Sequence, residues 1–325
     1  MTAGPGLFVV GAPKSGTTSM TRWLAGHPDV YVSVPKEPFY WASDFPGLRA
    51  HYGFESRAAY DALFACDEAQ RALLRAEGST FYLYSRRAVA DIVAAAGEGP
   101  APRFVVALRN PVDLLISYHR TQLVALNETE TDFGAAWSRS LAGGGPDTTP
   151  LDPKVVDYPM IGALGAAMAR LLAQVPRSDV HVVWFDELRA DAQATWDGLA
   201  DFAGLDRTPL PAAKQHNASL KTYRFGALRR LMHRPPGPLA APVRRLRQWS
   251  RTSDSGAVAR LKRTMWRPVE HPSAGPETRA RVAEHFRDDI GLLGRLVGRD
   301  LSGWLDEPEP AGAPENGSHP AAPVP

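Results

Sequence analysis

The feature that most constrains this chain is an apolar strand followed at once by a glycine-containing loop and a helix. Residues 7–10 are a short apolar run that ends at a glycine, which predicts a buried strand. Residues 11–18 form the loop, and Met20, Trp23 and Leu24 then recur with helical spacing. Loop N–H groups and a helix N-terminus that meet in this way can hold a phosphate or sulfate group. We therefore expect an anion site near the start of the chain.

Strand-like and helical segments alternate along the rest of the chain. Further strands are predicted at residues 30–34, 104–108 and 180–185. Helical spacing follows from about residue 112, over 158–172, over 186–202 with a break near 190–191, and over 276–297. Because parallel strands joined by helices are covered on both faces, this order predicts a three-layer α/β fold with a central, mainly parallel sheet flanked by helices.

Length and composition limit the domain organisation. A chain of 325 residues, 44% of them hydrophobic, can bury a core without covalent staples, and we expect a single domain over residues 1–305. Cys66 is the only cysteine, which excludes an intramolecular disulfide and a cysteine-based metal site. Residues 306–325 are Pro, Ala, Gly and acidic residues and predict a disordered tail. The start of the chain is unlike a signal peptide and no long apolar run occurs, so we expect a cytoplasmic protein without a transmembrane segment.

The loop departs from the ATP-binding pattern G-x-x-x-x-G-K-[ST] at one position. Thr17 stands where the lysine belongs, and the only loop lysine, Lys14, lies three residues earlier. The strand at 104–108 is followed by Arg109 and not by a metal-binding aspartate. ATP with Mg²⁺ is therefore disfavoured and no metal is expected, although a nucleotide kinase remains the alternative enzyme.

A second anion site is predicted at Arg109. An arginine at a strand end can hold a phosphate through paired charge-assisted bonds, and Ser117 lies about two turns into the following helix. The alternative is that Arg109 caps a neighbouring helix or pairs with Asp113, and that Ser117 is an ordinary surface residue.

The two motifs resemble those of a known family. Residues 13–18 resemble the 5′-phosphosulfate loop of sulfotransferases that use 3′-phosphoadenosine 5′-phosphosulfate (PAPS), and residues 106–111 with Ser117 resemble their 3′-phosphate site. Weaker likeness to bacterial members extends to about residue 305. The resemblance implies a P-loop-type fold, PAPS as donor and sulfuryl transfer to a hydroxyl or amine. It implies donor contacts from Pro13, Lys14, Ser15, Gly16, Thr17, Thr18, Arg109, Ser117 and, by looser analogy, Lys221.

The residues 36–38, Lys-Glu-Pro, resemble the heparan-sulfate-type branch of the family, in which the glutamate of this segment is the general base. The resemblance therefore implies Glu37 as the base, with Lys14 at the bridging oxygen of the donor. The cytosolic branch uses a histidine, so His119 and His51 are kept as lesser alternatives to Glu37, because a histidine placed like His119 more often has an ordinary packing or surface role.

One position departs from the heparan-type pattern. That branch carries a Glu-Lys-Thr-Pro segment whose lysine approaches the sulfate, whereas this chain reads Glu77-Gly78-Ser79-Thr80. The lysine is replaced by Gly78, which leaves Lys36 as the candidate for the missing charge. Ser79 and Thr80 are candidates to line the acceptor site.

A cluster of aromatic side chains suggests two uses. The rings fit either an apolar acceptor pocket or the core. The acceptor class stays open among small molecules, lipids, polyketides and glycans, free or bound to a carrier. The residues concerned are Phe39, Tyr40, Trp41, Phe45, Phe81, Tyr82 and Tyr84.

Positive charge is concentrated late in the chain. Residues 221–270 hold 13 Lys and Arg against two acidic residues, while the whole chain has a net charge of only +2. This segment, with its irregular, Pro-rich part at 224–275, is interpreted as a lid over the nucleotide, a docking face for an acidic carrier protein or anionic membrane, or a solvated face. No reader motif accompanies the charge, so nucleic acid is not an expected partner. A degenerate module that binds nucleotide or an anionic partner without turnover is the non-enzymatic alternative.

Overall fold

A five-stranded parallel sheet forms the centre of the molecule, in the strand order β2-β3-β1-β4-β5. The computed structural model describes residues 4–210, 221–223, 226–236, 239, 242–243, 246, 266–268 and 274–306. The strands of the sheet are β1 Leu7–Gly11, β2 Val30–Val32, β3 Leu74–Gly78, β4 Arg103–Leu108 and β5 Val180–Trp184.

Helices connect these strands and cover both faces of the sheet. The helices of the first half are α1 Thr17–Ala25, α2 Pro46–Tyr52, α3 Arg57–Asp61, α4 Asp67–Arg71, α5 Ala88–Ala96, α6 Pro111–Ala125 and α7 Phe133–Leu141. Those of the second half are α8 Tyr158–Gly162, α9 Leu164–Leu172, α10 Phe185–Ala190, α11 Ala192–Ala203, α12 Gly226–His233, α13 Pro276–His285 and α14 Arg287–Val297. A separate antiparallel pair joins β6 Lys221–Tyr223 to β7 Trp266–Pro268.

Two apolar layers sandwich the sheet, because alternate residues of each strand face opposite sides. Phe8 and Val10 of β1 join the core that packs against α6, α8, α9, α13 and α14. Leu7 and Val9 join the core that packs against α1 and α11. The expected three-layer fold, with a central parallel sheet flanked by helices, is confirmed.

The strand order places the loop after β1 at a switch point of the sheet. From β1 the chain builds β2 and β3 on one side, then crosses to build β4 and β5 on the other. Connections that leave in opposite directions open a crevice at the carboxyl ends of the strands, where parallel α/β sheets bind ligands. The residues predicted to bind the donor therefore follow β1 and β4 at this edge.

Several element boundaries differ from the sequence prediction. β3 was not predicted, because Arg75 and Glu77 interrupt its apolar pattern. The helix predicted over 158–172 is two helices that meet at Ala163, and the one predicted over 276–297 is interrupted at Phe286. β2 ends at Val32, shorter than the predicted strand. The break near 190–191 is confirmed, since Asp191 ends α10 and accepts a hydrogen bond from the backbone N–H of Ala194 in α11.

The late basic segment and the tail are described only in part. Lys221 lies in β6, and its predicted contact with the nucleotide stays a prediction. Most of residues 224–275, and the tail from residue 307, lie outside the described residues. Within the described part of the chain, no helix is both long enough and apolar enough to cross a bilayer.

Candidate donor and acceptor site

The loop after β1 presents the N-terminus of α1 toward the crevice. Gly16 stands at the start of that helix with φ of 94°, a left-handed value that glycine adopts without strain. A Cβ at this position would lie 2.8 Å from Leu188 Cδ1, so this side chain of α10 packs closely against the glycine. No side chain caps the first turn of α1. The helix N-terminus therefore has N–H groups suited to a bound anion.

Lys14 lies in the middle of this loop and is half-buried. Its backbone φ is 65°, in the left-handed region that non-glycine residues rarely adopt. Burial is the main cause that lowers the pKa of the Lys14 ammonium, and the charges of Arg109 and Lys36 lower it further while Glu37 raises it. Among the described residues, no carboxylate forms an ion pair with its Nζ.

Arg109 is anchored beside the loop, as the phosphate-site interpretation requires. Its Nη1 donates to the carbonyl of Lys14 at 3.1 Å, and its guanidinium lies 4.3 Å from the centre of the Phe185 ring. The alternative pairing with Asp113 is not realised, because that carboxylate accepts from Arg279 at 2.7 Å. Burial lowers the pKa of Arg109. Phe185, which begins α10, was missed because nothing in its local sequence marks it.

Ser117 lies on α6, eight residues beyond Arg109, and is half-buried. Its carbonyl accepts a hydrogen bond from Thr121 Oγ1 at 3.2 Å, which is an ordinary bond within a helix. Its predicted contact with a 3′-phosphate stays a prediction.

Lys36 and Glu37 belong to a loop, residues 33–41, that follows β2 and that we call the Lys36 loop. Lys36 Nζ donates to Thr18 Oγ1 at 3.1 Å and to Thr17 Oγ1 at 3.4 Å, and lies 3.6 Å from Glu37 Oε1. The same Glu37 oxygen accepts from Thr80 Oγ1 at 3.1 Å. The structure thus brings the predicted base and the predicted second lysine to the first turn of α1.

Gly78 lies next to the Lys36 side chain. A Cβ at Gly78 would lie 3.5 Å from Lys36 Cε and 2.6 Å from Thr21 Cγ2. The side chain of Lys36 therefore passes over the position from which the family's lysine would extend. This is the geometry expected if Lys36 takes that lysine's place.

The two alternative histidines occupy different surroundings. His119 is 2% exposed, its Nε2 lies 2.8 Å from the carbonyl oxygen of Glu130, and its ring packs against Phe133 and Tyr158. That environment favours the packing role over a catalytic one. His51 lies on α2 with its ring against Tyr52.

The aromatic residues proposed for an acceptor pocket are mainly core. Five of the seven are buried and belong to the larger core: Phe39, Phe45, Phe81, Tyr82 and Tyr84. Only Tyr40 and Trp41 are half-exposed. The core alternative is therefore favoured for these five rings, and Tyr40 and Trp41 remain the candidates to line an acceptor pocket.

The sequence analysis named Glu77 only as the first residue of the segment 77–80 that departs from the heparan-type pattern. In the structure Glu77 is a buried carboxyl group. Its side chain is 1% exposed and accepts hydrogen bonds from three hydroxyl groups. Burial raises the pKa of Glu77 to about 7, against the opposing effect of those hydrogen bonds. Ser79 and Tyr82 lie two and five residues further along the chain and Tyr60 lies 17 residues earlier, and no periodic pattern links these hydroxyls to the carboxyl.

The chain was compared with known proteins. Residues 5–98 match the model of the Sulfotransferase family. The fold is similar to the crystal structure of a sulfotransferase from Alicyclobacillus acidocaldarius, with a TM-score of 0.66 and 23% identity, covering 93% of this chain and 99% of that one. A lower TM-score of 0.40 relates it to the sulfotransferase domain of the Synechococcus PCC 7002 olefin synthase, at 15% identity over 87% of this chain and 94% of that domain. No curated protein matches the chain.

The family model covers both loops of the site, and the described site residues do not form a metal-binding group. Residues 5–98 include the loop after β1 and the Lys36 loop. Among the described residues, no group of three or more His, Cys, Asp and Glu side chains is arranged to hold a metal ion.

Proposed function

We propose that this chain is a member of the Sulfotransferase family, whose model matches residues 5–98, and that it transfers the sulfuryl group of PAPS to a hydroxyl or amine of an acceptor. The match to the family model and the similar fold support the class of reaction. The donor, the mechanism and the residue roles that follow are proposals drawn from the geometry of the site.

The observation that carries the proposal is the convergence of three cations on one helix N-terminus. Lys36 donates a hydrogen bond to the first turn of α1, and Arg109 donates one to the backbone carbonyl of Lys14. The charges of Lys36 and Arg109 both lower the pKa of the Lys14 ammonium. Only Glu37 opposes them in that set. Like charges held together in a partly buried site are stabilised by a bound anion. A donor with one sulfate and two phosphate groups supplies such an anion.

The proposed reaction is an in-line displacement at sulfur. The acceptor oxygen or nitrogen forms a bond to sulfur, the bond from sulfur to the bridging oxygen breaks, and the 3′,5′-bisphosphate leaves. Glu37 takes the acceptor's proton, and Lys14 stabilises the charge that develops on the bridging oxygen. Such catalysis depends on positioning and electrostatics, as phosphoryl transfer does.

In this proposal, the Lys36 ammonium binds the oxygens of the sulfuryl group. Thr17 and Thr18 accept from Lys36 Nζ, so each hydroxyl keeps its own proton to donate to an anion. The approach of Lys36 to Gly78 supports its use in place of the lysine that the heparan-type pattern has there. Arg109 is proposed to bind the 3′-phosphate, with Ser117 and Lys221 as further contacts.

Transfer of label from radiolabelled PAPS to a panel of phenol, primary alcohol and amine acceptors tests the proposal. We expect transfer by the wild-type chain and by the control Glu55→Gln, an exposed carboxyl. Glu37→Gln should lower the rate by about 10²–10⁴-fold, the usual contribution of a general base, while leaving bisphosphate affinity nearly unchanged.

Other outcomes would overturn the proposal or part of it. Wild-type turnover by Glu37→Gln would remove Glu37 as the base. Phosphate transfer from Mg-ATP, with no use of PAPS, would identify a kinase. Bisphosphate binding without transfer to any acceptor would identify a binding module.

A further inference from the structure

Glu77, which the proposed chemistry does not use, lies next to the Lys36 loop. It is the penultimate residue of β3 and is almost fully buried. None of the ion pairs among the described residues includes it. Ser79 Oγ donates to its Oε1 at 2.6 Å, and the Tyr60 and Tyr82 hydroxyls donate to its Oε2 at 2.7 and 3.2 Å. A buried carboxylate is thus held by hydroxyl groups alone.

Two of these hydroxyls also hold the backbone of the Lys36 loop. Ser79 Oγ accepts from the backbone N–H of Phe39 at 3.2 Å, and the Tyr82 hydroxyl accepts from that of Trp41 at 3.2 Å. Each hydroxyl has one proton, and because that proton is donated to Glu77, a lone pair is left to face the loop. The carboxylate therefore sets the direction of both links.

The third hydroxyl belongs to a ring that packs on the same loop. The Tyr60 ring stacks on Tyr40 with centres 4.5 Å apart and meets Trp41 edge-on at 5.5 Å. All three groups that bind Glu77 thus contact residues 39–41.

The loop needs such support because its backbone is strained. Glu37 and Phe39 have φ of 65° and 55°, in the left-handed region that is unfavourable for residues with a side chain. A backbone bond from Glu37 N–H to the carbonyl of Gly78, at 2.9 Å, adds a direct link to β3. Of these two strained residues, Glu37 is the predicted base, and Phe39 donates its backbone N–H to Ser79 Oγ.

We propose that Glu77 is a positioning residue whose ionised carboxylate orients three hydroxyl groups and thereby holds the Lys36 loop in the geometry that transfer requires. The catalytic use of the loop rests on the proposed function. The attachment of the loop to Glu77 rests only on the hydrogen bonds and ring contacts described above. It makes the loop depend on a group that touches neither donor nor acceptor.

The hold on the loop depends on pH, because burial raises the pKa of Glu77 to about 7. The titratable groups that face it are Tyr60 on α3 and Tyr82 after β3, whose pKa values burial and Glu77 raise well above the ordinary range, so both stay protonated. On the loop, Lys36 and Glu37 are bonded to each other and to threonine hydroxyls instead. A protonated Glu77 must donate to one of its hydroxyls, which reverses that link.

Amide hydrogen exchange of the full chain, at pH 6 and pH 8 with correction for the intrinsic rate, tests the inference. In the wild-type chain, peptides covering residues 36–42 should be better protected at pH 8. Glu77→Gln should raise their exchange about tenfold at pH 8 and remove the difference between the two pH values. The control Glu98→Gln, an exposed carboxyl, should behave as wild type. Unchanged exchange of these peptides in Glu77→Gln would overturn the inference.

Two further variants keep the inference testable if Glu77→Gln does not fold. Ser79→Ala and Tyr82→Phe each remove one link, so exchange should rise at Phe39 and Trp41 respectively, and no rise in either would overturn the inference. Affinity for the 3′,5′-bisphosphate, measured on the same samples, separates the two proposals. A loop loosened in Glu77→Gln, with no bisphosphate binding by the wild-type chain, would contradict only the proposed function. Bisphosphate binding by the wild-type chain, with an unchanged loop in Glu77→Gln, would contradict only the role of Glu77.

Discussion

Backbone strain in this molecule is concentrated at the residues that carry the proposed chemistry. Four residues other than glycine have positive φ within the described part of the chain, and three of them are Lys14, Glu37 and Phe39. The fourth, Leu126, ends α6. Left-handed backbone at such residues costs on the order of 1–3 kcal/mol each and persists where the surroundings enforce it. The loop after β1 and the Lys36 loop are therefore held in place by their neighbours and not by their own preferences.

Arg109 provides a test at the level of one side chain. Arg109→Ala should weaken binding of the 3′,5′-bisphosphate by about 1.5–3 kcal/mol, or about 10- to 150-fold, the scale of a lost charged hydrogen bond. Isothermal titration measures the affinity. The exposed Arg71 serves as the control, and Arg71→Ala should bind as wild type. Equal affinity in Arg109→Ala would remove Arg109 from the nucleotide site.

At the level of whole elements, α12 secures the C-terminal end of α6. Arg229 donates to the carbonyl oxygens of Leu123 and Val124, the latter at 3.1 Å, and Arg234 donates to that of Leu126 at 3.1 Å. Guanidinium groups here satisfy carbonyls that a helix end leaves without partners and oppose its negative dipole. Two charges of the basic segment therefore have a structural use. Because α6 begins directly after Asn110, these hydrogen bonds stabilise the same helix whose first residues follow Arg109.

Removing one of these contacts should lower stability without touching the site. Arg234→Ala should reduce the free energy of unfolding by about 1–3 kcal/mol, since it leaves a carbonyl and the Asn127 side chain without a charged donor. Urea denaturation measures the change. Arg230→Ala, at an exposed position on α12 four residues before Arg234, is the matched control and should stay within about 0.5 kcal/mol of wild type. Equal losses in both variants would contradict the capping role.

The elements differ in how far the sequence predicted them. β1 and β4 are apolar runs buried on both faces, and β5 is a half-buried edge strand rich in valine, so their composition was sufficient. The composition of β3 was not sufficient, because the charged Glu77 faces the interior and its burial depends on hydroxyl groups that meet it only in the folded structure. The phosphate loop was predicted because its residues are contiguous. Phe185 under Arg109 was missed because it comes from the neighbouring strand's connection.

For the molecule as a whole, Glu77 couples the site to stability. The pKa of Glu77 is about 7 when folded and 4.5 as an ordinary carboxyl, so the folded state binds more protons between those values. Stability contributed by this group is therefore complete at low pH and is lost as pH rises toward 7, by about 3 kcal/mol in total. The ionised form that holds the Lys36 loop is thus maintained at a cost in stability.

Urea denaturation of the wild-type chain and of Glu77→Gln, at pH 5 and pH 8, measures this coupling. The wild-type free energy of unfolding should fall relative to that of Glu77→Gln as pH rises, because the amide does not titrate. A pH dependence that is the same in both chains would contradict the buried, ionisable state of Glu77.

The C-terminal part of the chain supports the same edge of the sheet. Arg299 bonds to Glu187 at 2.5 Å and lies over Trp184, and Asn110 Nδ2 donates to the carbonyl of Trp304 at 3.0 Å. The core that includes Phe8 of β1 also extends to Leu301. The first and last described parts of the chain thus pack in one core, as the proposed single domain over residues 1–305 requires.

Thermal stabilisation by 3′-phosphoadenosine 5′-phosphate, beside ADP and ATP with and without Mg²⁺, tests the central proposal most directly. A ligand that binds only the folded state raises the melting temperature. At a hundredfold excess over its Kd, such a ligand adds about 2.7 kcal/mol to the free energy of unfolding. The cations around Lys14 and Arg109 predict selective stabilisation by the 3′-phosphorylated nucleotide, without metal. Stabilisation by Mg-ATP alone, or by none of these nucleotides, would contradict a PAPS-dependent sulfotransferase.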